Sequence, residues 1–141
     1  IVLHYPPYTS SSDEKKFGGG HSSRSTEQAM AKALEARQKN LRARIVVLSE
    51  HVHNYERHEH GGVTYFVLGG AGAHAYPIGR AVTDPFQSKE INYHYLLVEV
   101  DRGHLKATMN RLDLSTGKAG WTQPDSIEIA APAVASRVGA H

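Results

Sequence analysis

Ile45-Val46-Val47-Leu48-Ser49-Glu50-His51-Val52-His53-Asn54-Tyr55-Glu56-Arg57 is the stretch on which the reading of this chain turns. Four aliphatic residues in a row, three of them β-branched, make a strand over 44–49. Such a strand has no room for the polar cluster behind it, so the chain leaves the sheet at Ser49. Two histidines two residues apart stand at that exit. If the backbone stays extended, residues i and i+2 point to the same side. Neutral imidazole is the commonest side-chain metal ligand, so His51 and His53 read as a metal-ligating pair. The bland alternative is a pair of exposed or core histidines at a loop.

Upstream, Ser25-Thr26-Glu27-Gln28 has the spacing of a capping box with Ser25 as N-cap. It opens a helix over 25–40 with Ala29, Met30, Ala33, Leu34 and Leu41 along one apolar face and Lys32, Glu35 and Lys39 opposite. Further upstream, Ile1-Val2-Leu3-His4 is a short apolar strand, and Tyr5-Pro6-Pro7-Tyr8 forces an extended exit. Strand 1–4, the helix and strand 44–49 then form a strand–helix–strand unit with parallel neighbouring strands. His4 and His51 both fall at carboxyl ends of strands, where open α/β sheets place their ligands. The Ser-, Gly- and charge-rich stretch 9–23 between strand and helix reads as a long loop on the rim of that site.

Downstream the chain turns to antiparallel β. Strands are expected at 63–68, 91–100, 104–114 and 126–129, with Asp101-Arg102-Gly103 a hairpin turn. Ala107 and Met109 alternate in one phase and Leu112 and Leu114 in the other, which predicts a bulge near Asn110. The Gly69–Gly72 stretch lacks the third glycine and the following helix of a dinucleotide site. The tail 130–141 has no period and is expected to be disordered.

Composition sets wide bounds. With 141 residues, 40% hydrophobic and 21% charged, the chain is long enough for one domain with a core. A net charge of +2 without any Lys/Arg block argues against a nucleic-acid partner. No apolar run approaches the roughly 20 residues of a membrane-spanning helix. The absence of cysteine excludes disulfides and Cys-type zinc sites.

His51-Val52-His53-Asn54-Tyr55-Glu56-Arg57 resembles the last metal-ligand motif of the calcineurin-like metallophosphoesterases, in the form used by purple acid phosphatases. Ile1–Tyr8 resembles the motif that precedes it in that family, a buried strand ending in a ligand histidine before a Pro-rich turn. The resemblance covers residues 1–129 and implies the C-terminal portion of the catalytic domain, a mixed α/β part of a four-layer β-sandwich. It implies an enzyme hydrolysing phosphate esters with a metal-activated hydroxide held by two ions (Fe, Zn or Mn). His51 and His53 would each bind a different ion, and His4 would share one with His51. His74, after the Gly-rich loop, is a candidate for an indirect substrate role. Secretion or a periplasmic location is compatible with the resemblance, and the sequence leaves the compartment unknown.

The motifs of the family's front half (Asp-x-His, Gly-Asp-x-x-Asp/Tyr and Gly-Asn-His-Glu/Asp) do not occur in this chain. With them go the bridging carboxylate and the catalytic histidine. The expectation is a fragment whose partner is the missing front half or a second copy. The rival expectation is a non-catalytic, oligomerising β-rich module, since three histidines over two metals fall short of three ligands each. Glu50 departs from the family's glycine, which leaves three options: a side chain turned to solvent, a relaxed loop, or an extra carboxylate ligand. Tyr55, Glu56 and Arg57 either brace the loop by hydrogen bonds or touch substrate. His58 and His60 are expected to be solvated, and His21, His94, His104 and His141 carry no assigned role.

Overall fold

The computed structural model describes residues 1–11 and 21–132. Helix α1 spans Ser25–Gln38, followed by β1 (Val46–Ser49), β2 (Tyr55–His60), β3 (Val63–Leu68), β4 (His94–Asp101), β5 (His104–Asp113) and β6 (Gly120–Ala130). The strands form two three-stranded sheets, β1-β3-β2 and β4-β5-β6. In the first sheet β1 runs parallel to β3 and β2 antiparallel to it, and the second is antiparallel throughout. The fold is therefore the expected mixed α/β arrangement with one helix and an antiparallel C-terminal part. Most of the loop foreseen at 9–23 and most of the tail foreseen at 130–141 lie outside the described residues.

The opening strand is reduced to a single parallel bridge, Val2 to Leu48. Leu3 donates its N–H to the Leu48 carbonyl, Leu48 to that of Ile1, and Glu50 to that of His4. The expected parallel neighbours are thus in place, and these bonds bring His4 alongside the exit of β1.

Helix α1 packs on the first sheet through Leu34, as its apolar residues mark, but the packed face is rotated away from Ala29 and Ala33 toward Ala31, Glu35 and Gln38. Ala31 and Gln38 are buried, Leu34 packs against Val47, Val63 and Tyr65, and Ala29 and Ala33 face outward. Glu35, assigned from the sequence to the outer face, accepts hydrogen bonds from Tyr8 (2.7 Å) and Tyr65 (3.1 Å). Gln38 donates to the Ala43 carbonyl and accepts from the Ile45 N–H, fixing the approach to β1. Polar atoms with waiting partners thus outrank two alanine methyls, whose burial gains little. The N-cap is Arg24, without a side-chain cap bond, and not Ser25.

The other face of the first sheet meets the second. Tyr55 and Phe66 pack there against Ala107, Met109 and Phe86, with Leu96, Leu105 and Ile127 at the margin. An ion pair crosses the seam: Asp125 on β6 accepts from Arg57 Nε (2.8 Å), Arg57 Nη2 (3.0 Å) and the Tyr55 hydroxyl (2.8 Å). Two parallel N–H donors on one carboxylate make this a charge-assisted, bidentate contact.

The polar segment 55–60 is a strand, which the sequence reading took for loop. It is the antiparallel partner of β3 across the Gly61-Gly62 turn. That pairing puts His58 opposite Tyr65 and buries it, contrary to the expected solvation. Its Nε2 lies 3.2 Å from Glu56, and its Nδ1 3.8 Å from Asp84. Thr9 and the Ser10 N–H donate to the same Glu56, so residues 8–11 are tied down over β2. His60 is exposed, as expected, and stacks on Tyr8.

The second sheet follows the sequence more closely. The hairpin turn holds Arg102 and Gly103 at φ of 33° and 91°. The ladder shifts register between Met109 and Arg111, where the bulge is expected. Strand β4 begins at His94, not 91, and β6 begins six residues earlier than foreseen because Gly120-Trp121-Thr122 pairs with Arg111–Asp113. Among the described residues no helix is long and apolar enough to cross a membrane.

Candidate metal-ligating site

The loop between β1 and β2 carries Glu50 to Asn54, and it is not extended. Val52 N–H bonds to the Glu50 carbonyl and Asn54 N–H to that of Val52, both at 2.8 Å, so the chain makes two successive tight turns. His51 has φ of 67°, in the left-handed region that costs a side-chain-bearing residue roughly 1–2 kcal/mol. The dihedral that favours glycine therefore falls on His51 itself. Glu50 does not share it.

The strain is held by what lies underneath. Asn54 is fully buried and centres a polar network. Its amide donates to the Tyr76 carbonyl (2.7 Å), and its oxygen accepts from the Tyr55 N–H (2.7 Å), Asn92 (2.7 Å) and Arg80 (3.3 Å). The Tyr76 hydroxyl accepts the His53 N–H, and Tyr76 N–H bonds to the His53 carbonyl, both at 3.3 Å. Behind this loop the chain passes at 69–70 with no room for a side chain. A Cβ on Gly69 would stand 2.0 Å from the Val52 carbonyl oxygen, and one on Gly70 2.3 Å from that of Asn92. These glycines let three backbone segments close on one another.

On top of this base the structure brings His4 and His51 together, with His4 Nε2 and His51 Nδ1 3.2 Å apart. His53 Nδ1 lies 2.9 Å from the His74 carbonyl oxygen. That bond makes Nδ1 the protonated nitrogen and leaves the Nε2 lone pair available. His74 thus contributes its backbone, while its side chain is exposed. Glu50 is largely exposed, and its carboxylate stands 3.8 Å from His4 Nδ1, beyond hydrogen-bond reach. His4, Glu50, His51 and His53 line an open cleft of about 320 Å³, floored by Leu68 and Gly69.

Three further residues belong to this neighbourhood: His21, Tyr5 and Arg24. The His21 ring meets that of His51 edge-on at 4.1 Å. Tyr5 lies 4.3 Å from the His51 ring, and the Arg24 guanidinium sits 3.1 Å above the Tyr5 ring. The Tyr5-Pro6-Pro7 exit placed Tyr5 near His4, and the loop foreseen at 9–23 on the rim of the site includes His21, although no role was assigned to it; nothing in the sequence placed Arg24 there. Burial, then the charges of His21, His4, Arg24 and His53, hold the His51 pKa below the usual imidazole value. His51 is thereby biased toward the neutral form that ligates metals. Tyr55, Glu56 and Arg57 all point into hydrogen bonds away from the cleft, in the bracing role. Among the described residues no group of three or more His, Cys, Asp and Glu side chains is arranged to hold one metal ion.

No protein-family model matches this chain, and no curated protein matches it. Among solved structures it is similar to the crystal structure of Chaetomium thermophilum Vps29, at 14% identity and a TM-score of 0.46. The match covers 78% of this chain and 53% of that one, so the chain spans about half the length of that protein. A likeness this distant decides neither family nor chemistry.

Proposed function

We propose that this chain carries part of the metal site of a metal-dependent phosphoesterase, with His4 and His51 as ligands of one ion and His53 as a ligand of a second. The observation that carries the reading is the 3.2 Å between His4 Nε2 and His51 Nδ1. Two imidazole nitrogens, each about 2.0–2.1 Å from a tetrahedral zinc-like ion, stand about 3.3 Å apart. The donor set fits the group at its first step, and the His53 bond to a carbonyl is the outer contact that orients a ligating imidazole. Two such ions, when bound, supply Lewis acidity and an activated water for attack on a phosphate ester.

The chain's own residues hold the imidazoles. Hydrogen bonds of 2.9–3.1 Å between 1–4 and 48–50 set His4, the turn at Glu50–Val52 aims His51, and Asn54 with Tyr76 fixes His53. The cleft is open, which leaves room for further ligands from another segment or chain. A second reading, a non-catalytic module, is favoured by the lack of a three-ligand group among the described residues.

Metal titration of the wild-type chain, His51→Ala and His53→Ala with zinc and manganese, alongside phosphatase assays, separates the two. The metal reading expects uptake by the wild type and a loss of about tenfold or more in affinity for each variant. Equal uptake by all three proteins, or none by the wild type, overturns it.

A further inference from the structure

The seam between the two sheets opens at the end where β1 begins and β6 finishes, away from the histidine loop. Val100, Leu105 and Ile129 are direct partners across β4, β5 and β6, and partners opposite one another share a face. Leu105 packs on the inter-sheet core, so this aliphatic row lies on the inner face. Val100 is nevertheless 74% exposed, because the first sheet leaves that end of the row uncovered. With Val46 the row lines a cleft of about 250 Å³, and the segment entering β1 adds Arg42 and Arg44 to its wall. Arg44 Nε donates to the Ala130 carbonyl (3.0 Å), which anchors that guanidinium at the end of β6. Arg42 is exposed, and among the described residues no carboxylate stands within ion-pair distance of either arginine. Glu59 and Glu128 line a neighbouring cleft beyond Arg44, and Glu99 and Asp101 line another beside His104; none of the four lines this one. The cleft shares no residue with the histidine cleft.

An apolar floor with a few placed polar groups is the make-up of a small-molecule site. We propose that this cleft is a second binding site, for a small organic carboxylate with an aromatic or aliphatic body. The body covers the row of Val100, Leu105 and Ile129 and removes it from water. The Arg42 guanidinium takes the carboxylate through two parallel N–H donors. Arg44, committed by one edge to Ala130, adds its charge at the same wall. An inorganic anion would satisfy the arginines and leave the row wet. A neutral or cationic body would cover the row and leave the arginines unpaired. The site is independent of the phosphoesterase reading.

The test is an NMR titration of the chain with naphthoate, naphthalenemethanol and naphthylmethylamine, one apolar body carrying three different charges. The methyl signals of Val46, Val100, Leu105 and Ile129 are followed. The wild type is expected to bind the acid about fivefold more tightly than the alcohol, the gain of an exposed ion pair, with the amine weakest and the four residues shifting together. Arg42→Gln brings the acid down to the level of the alcohol. Lys118→Gln, an equal change of net charge in the β5–β6 turn at the other end of the sheet, leaves the preference intact. Both side chains are exposed, so each variant is expected to keep the wild-type circular dichroism. The comparison of three ligands on the wild type stands without any variant. Inorganic phosphate leaves the four residues unmoved. Equal binding of acid and alcohol by the wild type, no binding at all, equal losses in both variants, or the same shifts with phosphate overturns the assignment. So do shifts confined to the histidine cleft. Shifts of the four residues on concentrating the ligand-free chain give the cleft to a second copy, and overturn it likewise.

Discussion

The two sheets of this protein are covered very differently. The first is sandwiched: α1 buries Val47, Val63 and Tyr65 on one side, and the second sheet buries Tyr55 and Phe66 on the other. Five of the six residues of β3 are accordingly buried. Among the described residues the second sheet is covered on one face, by Tyr55 and Phe66 against Ala107 and Met109. On its outer face Tyr95, Leu97 and Trp121 are 49%, 46% and 57% exposed, with Tyr95 and Trp121 in edge-on contact. The histidine loop grows from the sheet that is fixed on both faces. A strained residue such as His51 persists where its surroundings over-determine it, and the first sheet offers such surroundings beneath the histidine loop.

The sharpest way to break that contrast is at Gly69. Its missing Cβ would meet the Val52 carbonyl oxygen at 2.0 Å and carbon at 2.7 Å, both main-chain atoms. Gly69→Ala is expected to prevent folding or to cost more than about 4 kcal/mol, because backbone gives way far less readily than a side chain. Gly79→Ala, where a Cβ meets nothing within 4 Å, serves as the control and should unfold at the wild-type denaturant concentration. Equal stability of the two variants in urea would mean that the 52–53 loop is free to move.

The second comparison sets one core residue of the covered sheet against one outer residue of the other. Phe66 is fully buried and Leu97 is about half exposed. Phe66→Ala should cost about 3–5 kcal/mol, whereas Leu97→Ala should stay within about 1 kcal/mol. A large loss for Leu97→Ala, seen as a lower urea midpoint, would show that something covers the outer face in solution. Dilution of the sample would then move the midpoint as well.

The smallest effect is expected at the seam, where His94 is buried under Gly70 and beside Tyr55. Burial depresses the His94 pKa below 6.5, against the opposing hydrogen bond to the Asn92 carbonyl. A depressed imidazole pKa contributes stability that is present above the unfolded value and fades as pH falls through the folded one. The wild type should therefore lose stability progressively below about pH 6.5, and His94→Gln should flatten that part of the curve. Parallel curves in chemical denaturation between pH 7.5 and 5 would assign the pH dependence to other groups.

Much of the scaffold was legible because it follows local rules. The apolar run before Ser49, the Asp101-Arg102-Gly103 turn and the phase change at Asn110 each record a constraint within a few residues. Strand β2 was missed because Tyr-Glu-Arg-His-Glu-His reads as loop, and its polar atoms find partners at Thr9, Ser10, Asp84 and Asp125, far along the chain. The one local signal for it was Gly61-Gly62, a pair suited to a two-residue hairpin. The packed face of α1 was only partly foreseen, with Leu34 in the core as expected, for a similar reason. Glu35 and Gln38 turn inward to Tyr8, Tyr65 and the Ala43–Ile45 backbone, and no periodicity of apolar residues reveals that.

The candidate site divides along the same line. By itself the sequence determined that histidines end two neighbouring parallel strands, because apolar strand patterns and the single helix between them fix both exits. Only the tertiary structure decided that His4 and His51 face one another at 3.2 Å, that His51 adopts a positive φ, and that Arg24 rides on Tyr5 beside them. Those distances depend on how Gly69 and Gly70 let remote backbone segments close, and on how Asn54 gathers Tyr76, Arg80 and Asn92. Contacts between residues tens of positions apart leave no period, turn or composition in the chain from which they could be read.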